Sequence, residues 1–152
     1  MACFHPITAY QPITGGQVIF HEKHDHRAVT IPCRQCVGCR LEHSRQWAMR
    51  ITHEASQHDD NVFITLTYDA DNLPSDCSLR KSDFQKFIRS LRKRTKKKIR
   101  YYHCGEYGDR NNRPHYHAIL FGHNFNDWLY LFDSPSGEPI YTSPSLERIW
   151  KK

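Results

Sequence analysis

Two histidines and a glutamate near the middle of the chain have the types and spacing of a metal site. His115 and His117 follow Pro114, and a β-strand through them would project both imidazoles from one face. Glu106 lies on the preceding extended stretch, before a turn rich in Gly, Asp and Asn at 108–112. Antiparallel pairing that sets Glu106 opposite either histidine would offer two nitrogens and one oxygen to Mg²⁺ or Mn²⁺. The alternative is a chance pair on a polar strand face, because the chain has eleven histidines.

Cysteines form a second cluster of possible ligands. Cys33, Cys36 and Cys39 have C-x-x-C-x-x-C spacing, and Cys3 is the expected fourth ligand of a structural Zn²⁺ knot. His5 is the substitute if Cys3 does not reach. An iron–sulfur cluster and free buried thiols are the alternatives.

The local patterns predict the strands that must position these groups. A hairpin is predicted from a strand at 99–107 and a second at 115–121. The strand at 62–69 alternates apolar and polar residues, and we interpret Thr65 and Thr67 as the open side of an ordinary core strand. Two more hairpins are predicted, one pairing 17–20 with 27–31 and one around the turn at 133–139.

Three helices are predicted between and after these strands. The first runs over 40–57, with an apolar row of Leu41, Ser44, Ala48, Ile51 and Ala55. The second runs over 79–94, is capped by Ser78 or Ser82, and turns inward Phe84, Phe87, Ile88 and Leu91. The third begins after Ser143 or Ser145. This order predicts an α+β fold, with a central antiparallel sheet, helices packed on one face and the other face open for ligand.

Composition limits the classes of function. The 152 residues carry a net charge of +6 and 38% hydrophobic residues, which favours a folded protein with an anionic partner. No apolar run is long enough for a membrane span, and the N-terminus lacks the features of a signal peptide. We therefore expect a cytoplasmic protein whose six cysteines are reduced, which favours metal binding over disulfides.

Basic residues are concentrated in one segment. Positions 80–100 hold eleven of the chain's 22 lysines and arginines and a single acid, Asp83. Such a run is often only a solvated face, but this one directly precedes the hairpin with the metal site, which favours contacts to nucleic-acid phosphates. The candidate DNA-binding residues are Arg92, Lys93, Arg94, Lys96, Lys97, Lys98, Arg100 and Arg113.

Several blocks together resemble a known family. The stretches CRQCVGCRLEHSRQWAMRITHE, FITLTY, GEYG and RPHYHAILFG are similar to those of the HUH endonuclease superfamily of rolling-circle replication initiators. More narrowly, they resemble the replication initiation proteins of gokushovirus-type (Microviridae) single-stranded DNA phages. The similarity covers roughly 33–152.

The resemblance implies a function and a mechanism. In that family the histidine pair and a nearby acidic or polar residue hold one divalent ion on a sheet that binds single-stranded origin DNA, and a tyrosine attacks the phosphodiester. The strand at 62–69 would then lie beside the histidine strand, and the host replication machinery is a further partner. The family's tyrosine is usually followed by lysine in a Tyr-x-x-x-Lys pattern, which no tyrosine after His117 has. Tyr130 and Tyr141 are weak candidates.

These expectations divide the chain into a cysteine-rich segment, 1–40, and an HUH-like domain, 41–152, truncated before the tyrosine helix. In host cytoplasm the longer protein would nick DNA through a 5′-phosphotyrosine. The rival classes are a non-catalytic, zinc-stabilised module that binds single-stranded nucleic acid and a hydrolase that uses metal-bound water.

Overall fold

The structure is a computed structural model that describes residues 3–109 and 111–152. Met1, Ala2 and Arg110, which falls in the predicted turn at 108–112, lie outside the described residues. The elements are β1 (Ile7–Pro12), β2 (His26–Ile31), α1 (Val37–Ala55), β3 (Asn61–Thr67), α2 (Lys81–Thr95), β4 (Arg100–Tyr107), β5 (Pro114–Phe121), β6 (Leu129–Asp133), β7 (Pro139–Thr142) and α3 (Pro144–Trp150).

The described strands pair only in antiparallel fashion, in three sheets, and this confirms the α+β class. The chain divides into two compact units, Met1–His53 and Glu54–Lys152. The functional division at residue 40 stays a prediction.

The sheet that carries the histidines has the strand order β3-β5-β4. Residues alternate across its middle strand, β5, as a strand requires. Tyr116, Ala118 and Leu120 are buried, whereas His115 and His117 between them are half-buried. The core of this unit therefore lies on one face of the sheet and the histidines lie on the other.

Helix α2 covers the buried face of the sheet. Its Phe84, Phe87, Ile88 and Leu91 are each at most 2% exposed, which confirms the predicted inward stripe. They pack with buried residues of β3 and β5 and with Trp150 of α3. On the histidine face, by contrast, Phe63 of β3 is 63% exposed, so this face is accessible to a ligand.

A buried polar network fixes the start of α2. Tyr68 donates a hydrogen bond to Asp83 at 3.0 Å, and burial raises the pKa of the Tyr68 hydroxyl. The Tyr116 hydroxyl lies 3.1 Å from that of Tyr68 and accepts the backbone N–H of Arg80 at 2.7 Å. Arg80 is the N-cap residue and makes no side-chain capping bond. The predicted caps at Ser78 and Ser82 are wrong, because this tertiary network holds the helix start in their place.

Two expectations for the N-terminal unit are corrected. Strand β2 pairs with β1 over six residue pairs, and not with 17–20, where Ile19 makes only one bridge, to Tyr10. Helix α1 starts at Val37, inside the cysteine motif, and ends at Ala55, so the predicted bounds of 40–57 were displaced. Gly38 is its one buried residue and Leu41 is 49% exposed, because a helical period does not establish that a packing partner exists.

The C-terminal elements agree with the sequence patterns. Strands β6 and β7 form the predicted hairpin. Ser143 is the N-cap of α3: its hydroxyl accepts the Leu146 N–H at 3.2 Å, and Pro144 follows at the first helical position. None of the helices among the described residues is long and apolar enough to cross a membrane.

Replacing Phe84 with alanine should lower the free energy of unfolding by about 3–5 kcal/mol. The ring is fully buried and contacts Phe87, Tyr101, His103 and Tyr116. Urea unfolding followed by circular dichroism measures the loss. The matched control is Phe63→Ala on the exposed face, for which we expect less than about 1 kcal/mol. Equal losses for both variants would show that the core is not where the structure places it.

Candidate metal centres

The β4–β5 hairpin brings Glu106, His115 and His117 to one face. Glu106 pairs with His115, and Cys104 pairs with His117, so Glu106 lies diagonally from His117 on the same side of the sheet. This is the register that the sequence analysis required. A shift of one residue would turn Glu106 to the helix side of the sheet.

Both imidazoles converge on one carboxylate oxygen. Glu106 Oε1 lies 3.1 Å from His115 Nε2 and 3.4 Å from His117 Nε2. One ligand atom from each of the three residues lies within 4.8 Å of the others. The hydrogen bond to His115, with a smaller contribution from His117, lowers the pKa of the Glu106 carboxyl, which is therefore charged at neutral pH. Two neutral-ring nitrogens and a carboxylate are a suitable donor set for a divalent cation.

The other ring nitrogens are already bonded. His115 Nδ1 lies 3.1 Å from the carbonyl oxygen of Arg113, and His117 Nδ1 lies 3.0 Å from the hydroxyl of Thr65. Each Nδ1 therefore has a protein partner, and each Nε2 faces the candidate site. Our preference for Thr65 as merely the open side of a core strand is wrong. The signal was its alternation with buried residues, but only the β3–β5 register shows that it is opposite His117.

The four predicted cysteines also come together. Cys3 Sγ lies 3.5 Å from Cys33 Sγ and 3.9 Å from Cys36 Sγ, and all four sulfurs, including that of Cys39, lie within 4.8 Å of one another. Tetrahedral Zn²⁺ with Zn–S bonds of about 2.3 Å would separate its sulfurs by about 3.8 Å. The spacing suits a tetrahedral cation, although it does not identify the metal.

Backbone amides surround these sulfurs. The N–H groups of Phe4 and Cys39 donate to Cys36 Sγ at 3.4 and 3.5 Å, and the N–H of Phe4 is the main reason that the pKa of Cys36 falls to about 6. A backbone hydrogen bond likewise lowers the pKa of Cys33. Desolvation raises the pKa of Cys39 to about 12, so that this thiol would ionise at neutral pH only with a cation beside it.

The basic residues do not form one surface with the histidines. Helix α2 packs on the opposite face of the sheet, which corrects the expectation that this helix holds DNA over the histidine face. Three of the eight candidates bond to protein groups: Arg92 donates to the Ile99 carbonyl, Arg100 pairs with Glu54, and Arg113 donates to the Tyr68 carbonyl. The exposed side chains of the other five are Lys93, Arg94, Lys96, Lys97 and Lys98.

The two weak tyrosine candidates lie in the β6–β7 hairpin. Tyr130 and Tyr141 pair across its strands, with ring centroids 6.2 Å apart, and their side chains are 59% and 48% exposed. Neither belongs to the sheet that carries His115 and His117. Tyr107 and Tyr116, which flank the histidines, accept backbone hydrogen bonds from Leu79 and Arg80.

Comparison with known proteins identifies the family. A family model described as a replication-associated protein of the ORF2 type matches residues 61–152. The chain is 37% identical over 160 residues to replication-associated protein VP4 of Bdellovibrio phage phiMH2K, covering 99% of this chain and 50% of the relative. It is 32% identical over 173 residues to replication-associated protein ORF2 of Spiroplasma virus 4, covering 100% of this chain and 54% of the relative.

A third relative, replication-associated protein ORF4 of Chlamydia phage 1, is 35% identical over 129 residues, which cover 80% of this chain and 32% of that protein. The chain thus spans about half the length, or less, of these curated relatives. No solved structure matches it significantly. The family model covers more than half of the chain and confirms the resemblance seen in the motifs. The chain belongs to the family of phage replication-associated proteins that this model describes.

Proposed function

We propose that this chain carries the metal-binding and DNA-binding part of a rolling-circle replication initiator of the HUH type. The longer protein would nick single-stranded origin DNA. The observation that carries the proposal is the convergence of His115 Nε2 and His117 Nε2 on one oxygen of Glu106, with both Nδ1 atoms bonded elsewhere. The relatives, named as replication-associated proteins of phages, support the role in replication.

The three ligands have distinct parts in the reaction. His115 and His117 would bind Mg²⁺ or Mn²⁺ through Nε2, and Glu106 would bind it through a carboxylate oxygen. The bound cation would polarise the scissile phosphate as a Lewis acid. The Glu106 side chain is 57% exposed, so the site is open to a phosphate approaching from the accessible face of the sheet.

The cleavage step balances without a further reactant. A tyrosine oxygen forms a bond to phosphorus as the bond from phosphorus to the 3′ oxygen breaks. The phenol loses its proton and the departing 3′ oxygen gains one, which leaves a 5′-phosphotyrosine and a free 3′-hydroxyl for replication. Because Tyr130 and Tyr141 lie on a separate sheet and lack a following Tyr-x-x-x-Lys lysine, we propose that the nucleophile belongs to the longer protein, outside these 152 residues.

Affinity for DNA would come from the five exposed cations, Lys93, Arg94, Lys96, Lys97 and Lys98. Contacts of this type bind phosphates without reading bases and weaken steeply with salt. Arg92, Arg100 and Arg113 would act indirectly, since each holds a carbonyl or carboxylate of the protein.

The test is a denaturing gel with single-stranded DNA from the phage origin, labelled at its 3′ end, together with Mn²⁺. The 5′-phosphotyrosine retains the downstream fragment, so the label should migrate with the protein. We expect an adduct with the full-length Bdellovibrio phage relative and none with this chain. An adduct with this chain would place the nucleophile here, and Tyr130→Phe and Tyr141→Phe would identify it. Cleaved DNA without any adduct would overturn the tyrosine mechanism in favour of a hydrolase.

The cysteine cluster favours a second candidate function. A zinc-stabilised module that only binds single-stranded nucleic acid would need the cysteines and the exposed cations but not the histidines. Such a module would bind DNA equally with and without Mn²⁺, and neither this chain nor its full-length relative would form an adduct.

A further inference from the structure

Strand β3 supplies a hydroxyl to one of the candidate metal ligands. Thr65 pairs with His117 across the β3–β5 ladder, and its Oγ1 lies 3.0 Å from His117 Nδ1. Phe63, two residues earlier on the same face, stacks on the His117 ring with centroids 5.5 Å apart and planes 16° from parallel. The orientation of this imidazole is therefore limited by its stacking partner, its backbone and one hydrogen bond.

The chemistry of imidazole gives that hydrogen bond a role. A neutral ring that uses the Nε2 lone pair for a cation carries its proton on Nδ1, where the N–H needs an acceptor. A threonine hydroxyl rotates freely and can accept this proton's hydrogen bond, whereas in the cation-free ring it can donate to Nδ1 instead. The same hydroxyl thus matches both forms of the ring without a change in backbone.

We propose that Thr65 is a positioning residue that sets the tautomer and orientation of His117 for cation binding. The inference rests on the proposed function of the Glu106, His115 and His117 site. It adds a group that does not touch the cation itself. Outer partners of metal-bound histidines typically change metal affinity by 10–100-fold when removed.

The neighbouring threonine provides a matched control. Thr67 lies on the same face of β3 and pairs with His115 in the same way that Thr65 pairs with His117. His115 Nδ1, however, faces the carbonyl oxygen of Arg113 at 3.1 Å. A hydroxyl at Thr67 is therefore not needed to orient His115, although valine has the same shape at either position.

The experiment compares Mn²⁺ binding by the wild-type chain, Thr65→Val, Thr65→Ser and Thr67→Val, measured from the electron paramagnetic resonance signal of free Mn²⁺. We expect Thr65→Val to weaken binding roughly 10–100-fold. Thr65→Ser, which keeps the hydroxyl, and Thr67→Val should bind within about threefold of wild type. In the metal-free protein, the ¹⁵N resonances of the His117 ring should move in Thr65→Val and return toward their wild-type positions in Thr65→Ser.

Each other outcome overturns a specific statement. Wild-type affinity in Thr65→Val, or an equal loss in Thr67→Val, would remove the positioning role while leaving the three-ligand site intact. Failure of the wild-type chain to bind Mn²⁺ would overturn the proposed site, and the inference with it. Unmoved His117 resonances in Thr65→Val would show that the hydroxyl does not act on this ring.

Discussion

Replacing His117 with alanine should weaken Mn²⁺ binding by more than about 100-fold, because a direct ligand matters at least as much as an outer partner. His115→Ala should have the same effect. Affinity for single-stranded DNA should stay within about threefold, since contacts to phosphate come from cations elsewhere on the unit. Isothermal titration with Mn²⁺ and fluorescence anisotropy with a labelled oligonucleotide measure the two quantities. The corresponding histidine variants of a full-length relative should form no covalent adduct.

A histidine outside the site controls for the loss of an imidazole. His24 is almost fully exposed and pairs only with the neighbouring Asp25 among the contacts of the described residues. His24→Ala should leave Mn²⁺ binding unchanged. Retained Mn²⁺ binding in both His115→Ala and His117→Ala would contradict the assignment of this cluster as the divalent-ion site.

Removing the metal from the cysteine cluster should unfold the N-terminal unit. Among the described residues of this unit, Ala9 is the only buried hydrophobic residue, whereas Phe4, Ile7 and Phe20 are each at least 42% exposed. Such a unit cannot gain much stability from apolar burial. Structural Zn²⁺ contributes about 10–16 kcal/mol of binding free energy in zinc-finger peptides, which is comparable to the stability of a whole domain. We therefore expect Cys36→Ser to lose bound metal and the protection of β1 and β2 amides from hydrogen exchange.

Hydrogen exchange with mass spectrometry and elemental analysis are the measurements for this prediction. Cys77→Ser is the control, because this cysteine is exposed and outside the cluster. It should keep both the metal and the protection. The unit Glu54–Lys152 has its own core and should keep its slow-exchanging amides in either variant. Full protection of β1 and β2 in a metal-free Cys36→Ser protein would contradict a structural role for the cluster.

Local patterns were sufficient for the parts of the fold that depend on neighbours in sequence. The alternation of β5 and the inward row of α2 were predictable because burial on one side leaves a period of two or about 3.6 residues. The hairpin joining β4 to β5 was predictable because Gly108 and Pro114 mark its turn. These features also brought Glu106, His115 and His117 to one face, which is most of the candidate site.

Long-range partners were not predictable from such patterns. The pairing of β2 with β1 depends on a competition between two segments that both have some strand character. The commitment of Arg92 and Arg113 to backbone carbonyls has no signature in a list of charges. The side of the sheet on which α2 packs also cannot be read from its count of lysines and arginines. Thr65 belongs to this group as well, because its partner is 52 residues away.

The β4–β5 register has a consequence for how such a protein can diverge. The ligands depend on strand pairing and not on the connection between the strands, which at 108–113 lies beyond Glu106 and before His115. Insertions and deletions in that connection can accumulate through evolution without displacing a ligand, provided that the pairing survives. A single-residue insertion between Cys104 and Glu106 would instead invert the last part of β4, so the lineage should tolerate length variation at the tip of this hairpin and reject it within the strands.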